Sequence, residues 1–200
     1  MDIVNRAKNI MLTPATEWPV IAAEPATVGG ILGGYAGILA LLPLVGVILT
    51  PLLGLSAFAL LGLGMGYFVA LGVVGYVVSL LILFLMSFVV EALAPSFGAR
   101  KSRVDALKWL AYAVTPLWVA SLLLFIPLLG ALLVLAALVY AGYILYLGAG
   151  PVMGASPSKA GALTAVTIVA WIVVGYVANR IIAGIVLASL VHPGVVPGTI

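Results

Sequence analysis

Between Leu52 and Glu91 the chain places no charged side chain, and its residues there are almost all apolar or glycine. Such a stretch offers no face to water, so it is stable only where its surroundings are apolar as well. Apolar runs extend over Thr27–Leu49, roughly Leu60–Ala94, Trp109–Ile126, Leu128–Gly150 and Gly161–Leu190. A bilayer's hydrocarbon core takes about 20 helical residues to cross, and in lipid a helix satisfies its own backbone groups. Each run therefore reads as a spanning helix. Charged residues make up 6% of the chain, against about 25% in a soluble domain, so an ordinary water-facing shell is excluded. Strands of a membrane barrel alternate apolar and polar residues over about 10 positions, and these runs do not. The expected class is all-α: a polytopic membrane helix bundle of five transmembrane helices with a short N-terminal interfacial helix.

Breaks fall at Pro43 to Pro51, Pro95 to Lys108, Pro127 and Pro151 to Lys159. The stretch from Leu52 to Ala94 would extend about 65 Å as one helix, twice what a bilayer needs. Pro51–Gly66 is accordingly an outer-face loop, a re-entrant segment or a short extra span. Charge placement chooses five spans over six. With five and a cytoplasmic N-terminus, Arg6, Lys8, Arg100, Lys101, Arg103, Lys108 and Lys159 all lie inside, following the bias of Lys and Arg toward cytoplasmic loops. Six spans would put either Arg6 and Lys8 or the Arg100–Lys108 cluster outside. Residues 1–26 then form a cytoplasmic, interfacial segment, 27–190 the five-helix domain and 191–200 a short tail. Arg180, about 31 Å of helix beyond Lys159, reaches the outer interface as an anchor, or else meets an ion-pair or substrate partner.

The first 27 residues lack the apolar core and cleavage site of a signal peptide. Ile3, Val4, Ala7, Ile10 and Met11 recur at helical spacing opposite Asn5, Arg6, Lys8 and Asn9, the pattern of a helix lying on the membrane surface. Thr13 and Pro14 predict a second helix, with Thr13 as N-cap and Pro14 in first position. Trp18 suits the headgroup layer. Gly29, Gly33 and Gly37 recur every fourth residue, Gly62, Gly66 and Ala70 repeat the interval, and Gly72, Gly75 and Ser79 follow. That spacing predicts close helix packing.

Few groups are equipped for chemistry. The chain has no cysteine and one histidine, His192, so neither a metal site nor a catalytic triad is expected. No Gly-Lys-Ser/Thr follows Gly29-Gly30, which rules out a phosphate loop there. Basic residues are too dispersed for nucleic acid. Glu91 is the only carboxylate within a span. A carboxyl or phenol group in lipid needs a partner, and depth alone groups Glu91, Tyr112, Thr115 and Tyr143 as a candidate polar cluster. It is a tie between helices, a ligand or proton site, or an exposed set at the interface. Thr115 is also placed to bond a carbonyl freed by Pro116, where a kink is expected. Arg100, Lys101, Arg103 and Lys108 form a candidate loop for anionic lipid headgroups, or serve only to orient the protein.

The order of short motifs is informative. Pro14, Trp18 and Glu24 are followed by Leu93-Ala-Pro-Ser-Phe-Gly98 and Ala111-Tyr-Ala-Val-Thr-Pro116. Then come Ile126-Pro-Leu-Leu-Gly130, Tyr140 to Gly148, and Met153 with Pro157 and Lys159-Ala160. The chain resembles the Yip-domain family (Ypt-interacting proteins) in its bacterial branch, over essentially its whole length. The resemblance implies a five-helix domain in the bacterial inner membrane, without catalysis or cofactors. Eukaryotic relatives associate with prenylated small GTPases of vesicle traffic, and this chain lacks their long polar cytoplasmic N-terminal region. Expected partners are membrane lipids, anionic ones among them, and membrane proteins or a second copy of the chain. The expected role is a membrane scaffold or adaptor, the alternative a small transporter or channel with Glu91 as coupling group.

Overall fold

The structure, a computed structural model, describes residues 2–53 and 64–191. Among these it is helical, without strands, and five helices are long and apolar enough to cross a membrane. The first to fifth spans are Gly30–Leu52, Met65–Phe97, Arg103–Phe125, Leu128–Ala149 and Pro157–Ile181. Two short helices precede them, α1 (Ile3–Leu12) and α2 (Pro14–Ala23). The expected class holds. Most of Pro51–Gly66 lies outside the described residues, as does His192 with the rest of the tail. The helix of the fifth span continues unbroken to Val191, and Arg180 within it is exposed.

Proline and glycine set the boundaries. Pro14, Pro127 and Pro157 each open a helix, where the missing N–H has no partner to lose. Pro116 divides the third span instead of kinking it. The helix Arg103–Ala113 stops at Val114, Pro116 falls in the first turn of Thr115–Ser121, and Leu122–Phe125 closes the span as a tighter turn. Gly98 takes φ 67°, left-handed backbone that favours glycine, and its N–H donates to Pro95 O at 3.0 Å. This ends the turn Ala94–Phe97 after the second span. The first span opens on a π-helix, Gly30–Ala36, whose wider turns carry extra residues.

The third span is the central post. It is 56% buried over its apolar window, against 22% for the second and fifth, and Ala106 through Ala113 are all buried. The core gathers around its first helix, with Ile31 and Tyr35 from the first span and Met86 and Val90 from the second. Ile144 and Leu145 from the fourth and Leu163 from the fifth complete it. Away from this end the spans turn apolar side chains outward, such as Val73, Val77 and Leu81 on the second and Leu132, Leu135 and Val139 on the fourth. Lipid accepts such faces, so nothing drives them together.

Two expectations need correction. The small-residue stripe packs only in part: a Cβ at Gly29, Gly33, Gly66 or Gly75 would meet nothing within 4 Å, while at Gly72 it would lie 3.3 Å from Leu44 Cγ. Gly62 lies outside the described residues. Within the stripe the close approach is at Gly37, against Leu32 O; others occur off it at Gly46, against the carbonyls of Ser121 and Leu122, at Gly130, against Leu123 O, and at Gly148, against two tryptophans. Spacing alone does not show which helix face a neighbour covers. The N-terminal helices also do more than lie on a surface. Arg6 is buried with Ala7 and Ile10, and Trp18 is fully buried in place of the expected headgroup position.

Candidate functional site

Asp2 caps α1, its carboxylate accepting from the Val4 and Asn5 N–H groups at 3.0 and 3.3 Å. Thr13 follows the helix but does not cap α2 with its side chain; its hydroxyl donates back to Asn9 O at 3.1 Å. The turn at Thr13–Pro14 folds α2 against α1 and sets Arg6 beside two carboxylates. One guanidinium nitrogen donates to Glu17 and the other to Glu24. Arg6 is 8% exposed and the Glu17 side chain 10%, so this pair is removed from water; Glu24, at 39%, keeps one side wet. A charge is stable in such a place only when paired.

Four long-range bonds seat this hairpin on the bundle. Trp18 donates its indole N–H to Ile144 O at 2.9 Å, and Tyr140 donates its hydroxyl to Met11 O at 2.6 Å. Lys108 Nζ donates to Ile21 O at 3.1 Å and Glu24 O at 2.7 Å. The last carbonyls of a helix have no partner of their own, so Lys108 caps the end of α2 from the third span. Trp109, beside it, donates to Leu145 O at 2.7 Å.

Behind α2, where the first and third spans begin, lies a cavity of about 450 Å3. Glu24, Gly30, Gly34, Tyr35, Lys108 and Tyr112 are among its lining residues. The Tyr35 hydroxyl and Thr115 Oγ1 hydrogen-bond at 2.7 Å, and the Tyr35 and Tyr112 rings pack with centroids 4.1 Å apart. Thr115 is fully buried. Its hydroxyl serves this inter-span bond, where the sequence suggested a carbonyl freed by Pro116. Tyr35→Phe is expected to leave the Thr115 hydroxyl short of its partner and to cost about 1 kcal/mol, read as a lowered thermal midpoint in detergent. An unchanged midpoint would show that the bond contributes nothing.

The four residues grouped by depth fall into different settings. Tyr112 and Thr115 share Tyr35 as a neighbour. Glu91 accepts from Arg103 Nε at 3.0 Å, and the Arg103 guanidinium lies over the Phe88 ring, 3.8 Å from its centroid. Tyr143 is 52% exposed and stacks on Tyr140. Depth ranks residues along a helix but does not say around which side they face.

The basic set divides as well. Arg100 donates to the carbonyls of Val152 and, at 3.5 Å, Pro151, while its backbone N–H donates to Met153 O at 2.7 Å. Arg103 serves Glu91, Lys108 is buried in the cap of α2, and Lys101 is exposed. Of the four loop cations, Arg100 and Lys101 are exposed and Arg103 keeps 41% of its side chain exposed beside Glu91, whereas Lys108 is buried inside the third span. Glu17 and Tyr35 were not singled out by the sequence, and Arg6 and Glu24 were read only as a topology cation and a motif residue. Two acids on α2's side of a Thr-Pro turn, facing one arginine on the other, are the signal that points to the pairing. Among the described residues no group of three or more His, Cys, Asp or Glu is placed to hold a metal.

Compared with known proteins, the chain matches the Yip1 domain family over residues 8–179. No curated protein and no solved structure matches it.

Proposed function

From the chain's membership of the Yip1 domain family, to which it belongs over most of its length, we propose a non-catalytic membrane adaptor. It holds protein and lipid partners through the outer faces of its spans. The carrying observation is where its charges go. Arg6 is tied to Glu17 and Glu24, Lys108 to the end of α2, Arg103 to Glu91, and Arg100 to the turn after the fourth span. These ties hold one end of the bundle as a unit. A transporter's coupling group is an ionisable residue facing a mid-membrane cavity; Glu91 stands near the end of the second span with an arginine on it. The second and fourth spans meanwhile offer long apolar faces to a neighbour.

Photo-cross-linkers at Val77 and Leu135, both on those faces, test this in native membranes against one at buried Leu83. A discrete protein adduct from an outer position supports the adaptor reading. Lipid adducts alone at both positions would sink it.

The ends of the spans carrying Arg6, Lys8, Arg100, Lys101, Arg103, Lys108 and Lys159 belong, in this reading, to the cytoplasmic side, by the bias of basic loops toward the interior. In this reading the membrane is a bacterial inner one, supported by the motif order resembling the bacterial branch. On the same reading the exposed loop cations Arg100 and Lys101 meet anionic lipid. Ser158→Cys, in the first turn of the fifth span, should react with an impermeant thiol reagent only after the cells are opened. Labelling of intact cells would invert the topology.

A further inference from the structure

The cavity behind α2 has room for a ligand: sites for small molecules commonly measure about 300–1,000 Å3, and this one measures about 450 Å3. Its wall combines apolar side chains, Ile21 and Ile31 among them, with two groups of opposite charge, Glu24 and Lys108. Lys108 Nζ carries three N–H donors, and both acceptors it meets, the carbonyls of Ile21 and Glu24, are neutral. Glu24 shares Arg6 with Glu17, and its carboxylate remains partly exposed. A simple anion here meets the repulsion of Glu24, and a simple cation that of Lys108. A ligand carrying both signs a few atoms apart satisfies both.

The opening turn of the first span is a second, independent observation. Gly30, Ile31, Gly34 and Tyr35 all line the cavity and all belong to the π-helix Gly30–Ala36. Such widened turns recur at functional sites. Gly34 contributes no side chain, and a Cβ there would meet nothing within 4 Å, so the space beside it stays open.

We infer that this cavity binds a phosphoethanolamine headgroup, its phosphate at Lys108 and its ammonium at Glu24, with the apolar wall taking the adjoining glycerol and upper acyl chain. The ammonium of phosphoethanolamine has N–H donors for a carboxylate; the quaternary ammonium of phosphocholine has none. This site lies inside the packed end of the bundle, so it goes beyond the adaptor reading and does not depend on which protein the outer faces hold.

The test uses the purified full chain in micelles, offered equal amounts of phosphatidylethanolamine, phosphatidylcholine and phosphatidylglycerol, with bound lipid read by native mass spectrometry. Phosphatidylethanolamine should be retained about tenfold over the other two, the effect of one charge-assisted hydrogen bond. Gly34→Leu, whose Cβ meets nothing within 4 Å, and Lys108→Gln should each abolish the preference, while Lys159→Gln, on an exposed residue outside the cavity, keeps it. Because Lys108→Gln also removes a helix cap, the folded Gly34→Leu protein decides if the lysine variant fails to fold. Phosphatidylglycerol at or above phosphatidylethanolamine among the lipid that Gly34→Leu loses relative to the parent, or an undiminished preference in Gly34→Leu, would overturn the proposal. Free phosphoethanolamine is the remaining arm: if it displaces the lipid, the headgroup alone is the ligand, and if it does not, the membrane lipid is.

Discussion

Arg6→Leu is expected to be among the most damaging single changes in the chain, costing about 3–5 kcal/mol, because it leaves a buried carboxylate without its cation. The loss should be graded by exposure. Glu17 is nearly as buried as Arg6, whereas Glu24 retains contact with water, so Glu17→Gln should lower the thermal midpoint more than Glu24→Gln. Arg6→Leu with Glu17→Leu should regain much of the loss, since an apolar pair of similar volume replaces two buried charges. The hairpin should report the same order in protease cleavage at the Thr13–Pro14 turn, which becomes accessible as α1 and α2 lift away. Equal midpoints for Arg6→Leu and the unaltered protein would mean that the hairpin is held by the bonds of Trp18, Tyr140 and Lys108 alone.

Gly148→Val tests the other side of the same junction. A Cβ at Gly148 would lie 2.6 Å from Trp18 Cε2 and 2.7 Å from Trp109 Cδ1, well inside contact distance. Neither ring has anywhere to go: both are fully buried, and each indole N–H is fixed on a carbonyl of the fourth span, Ile144 or Leu145. Overpacking costs about 1–3 kcal/mol, and an indole pulled from its acceptor adds about 1–3 kcal/mol more. A drop in thermal midpoint should therefore come with a red shift of tryptophan emission. Gly75→Ala is the matched control, since its Cβ meets nothing within 4 Å in the long second span. It should stabilise by up to about 1 kcal/mol through helix propensity. A Gly148→Val protein that melts and fluoresces like the parent would refute the tryptophan clamp.

The spans were legible in the sequence for a specific reason. Lipid makes the same demand on every side of a helix, so length and apolarity locate Met65–Phe97 or Leu128–Ala149 without knowledge of any neighbour. The two-helix N-terminal segment was legible too, from Thr13 and Pro14. What the sequence could not supply is azimuth. An amphipathic helix that lies on a membrane and one that docks on a protein share a pattern, and Arg6 looks solvent-facing until Glu17 and Glu24 are folded onto it. Trp18 suits a headgroup layer and a core equally well, because its N–H needs one acceptor in either place. The candidate polar cluster fared similarly. Tyr112 and Thr115 lie where depth puts them, but Tyr35, the group that connects them, comes from a span 80 residues away.

The seat of the hairpin has a consequence in time. Trp18 donates to a carbonyl 126 residues further on, and Met11 accepts from a hydroxyl 129 residues away. At a synthesis rate of roughly 5–20 residues per second, the hairpin waits on the order of 6–25 s before the fourth span exists to receive it. The links between Arg6 and its two acids span only 11 and 18 residues, so they close long before. During that interval the segment is an amphipathic hairpin with an unplaced tryptophan beside a bilayer, which is the object its sequence describes. The surface helix and the buried one are successive addresses of the same residues, and the arrival of Ile144 separates them.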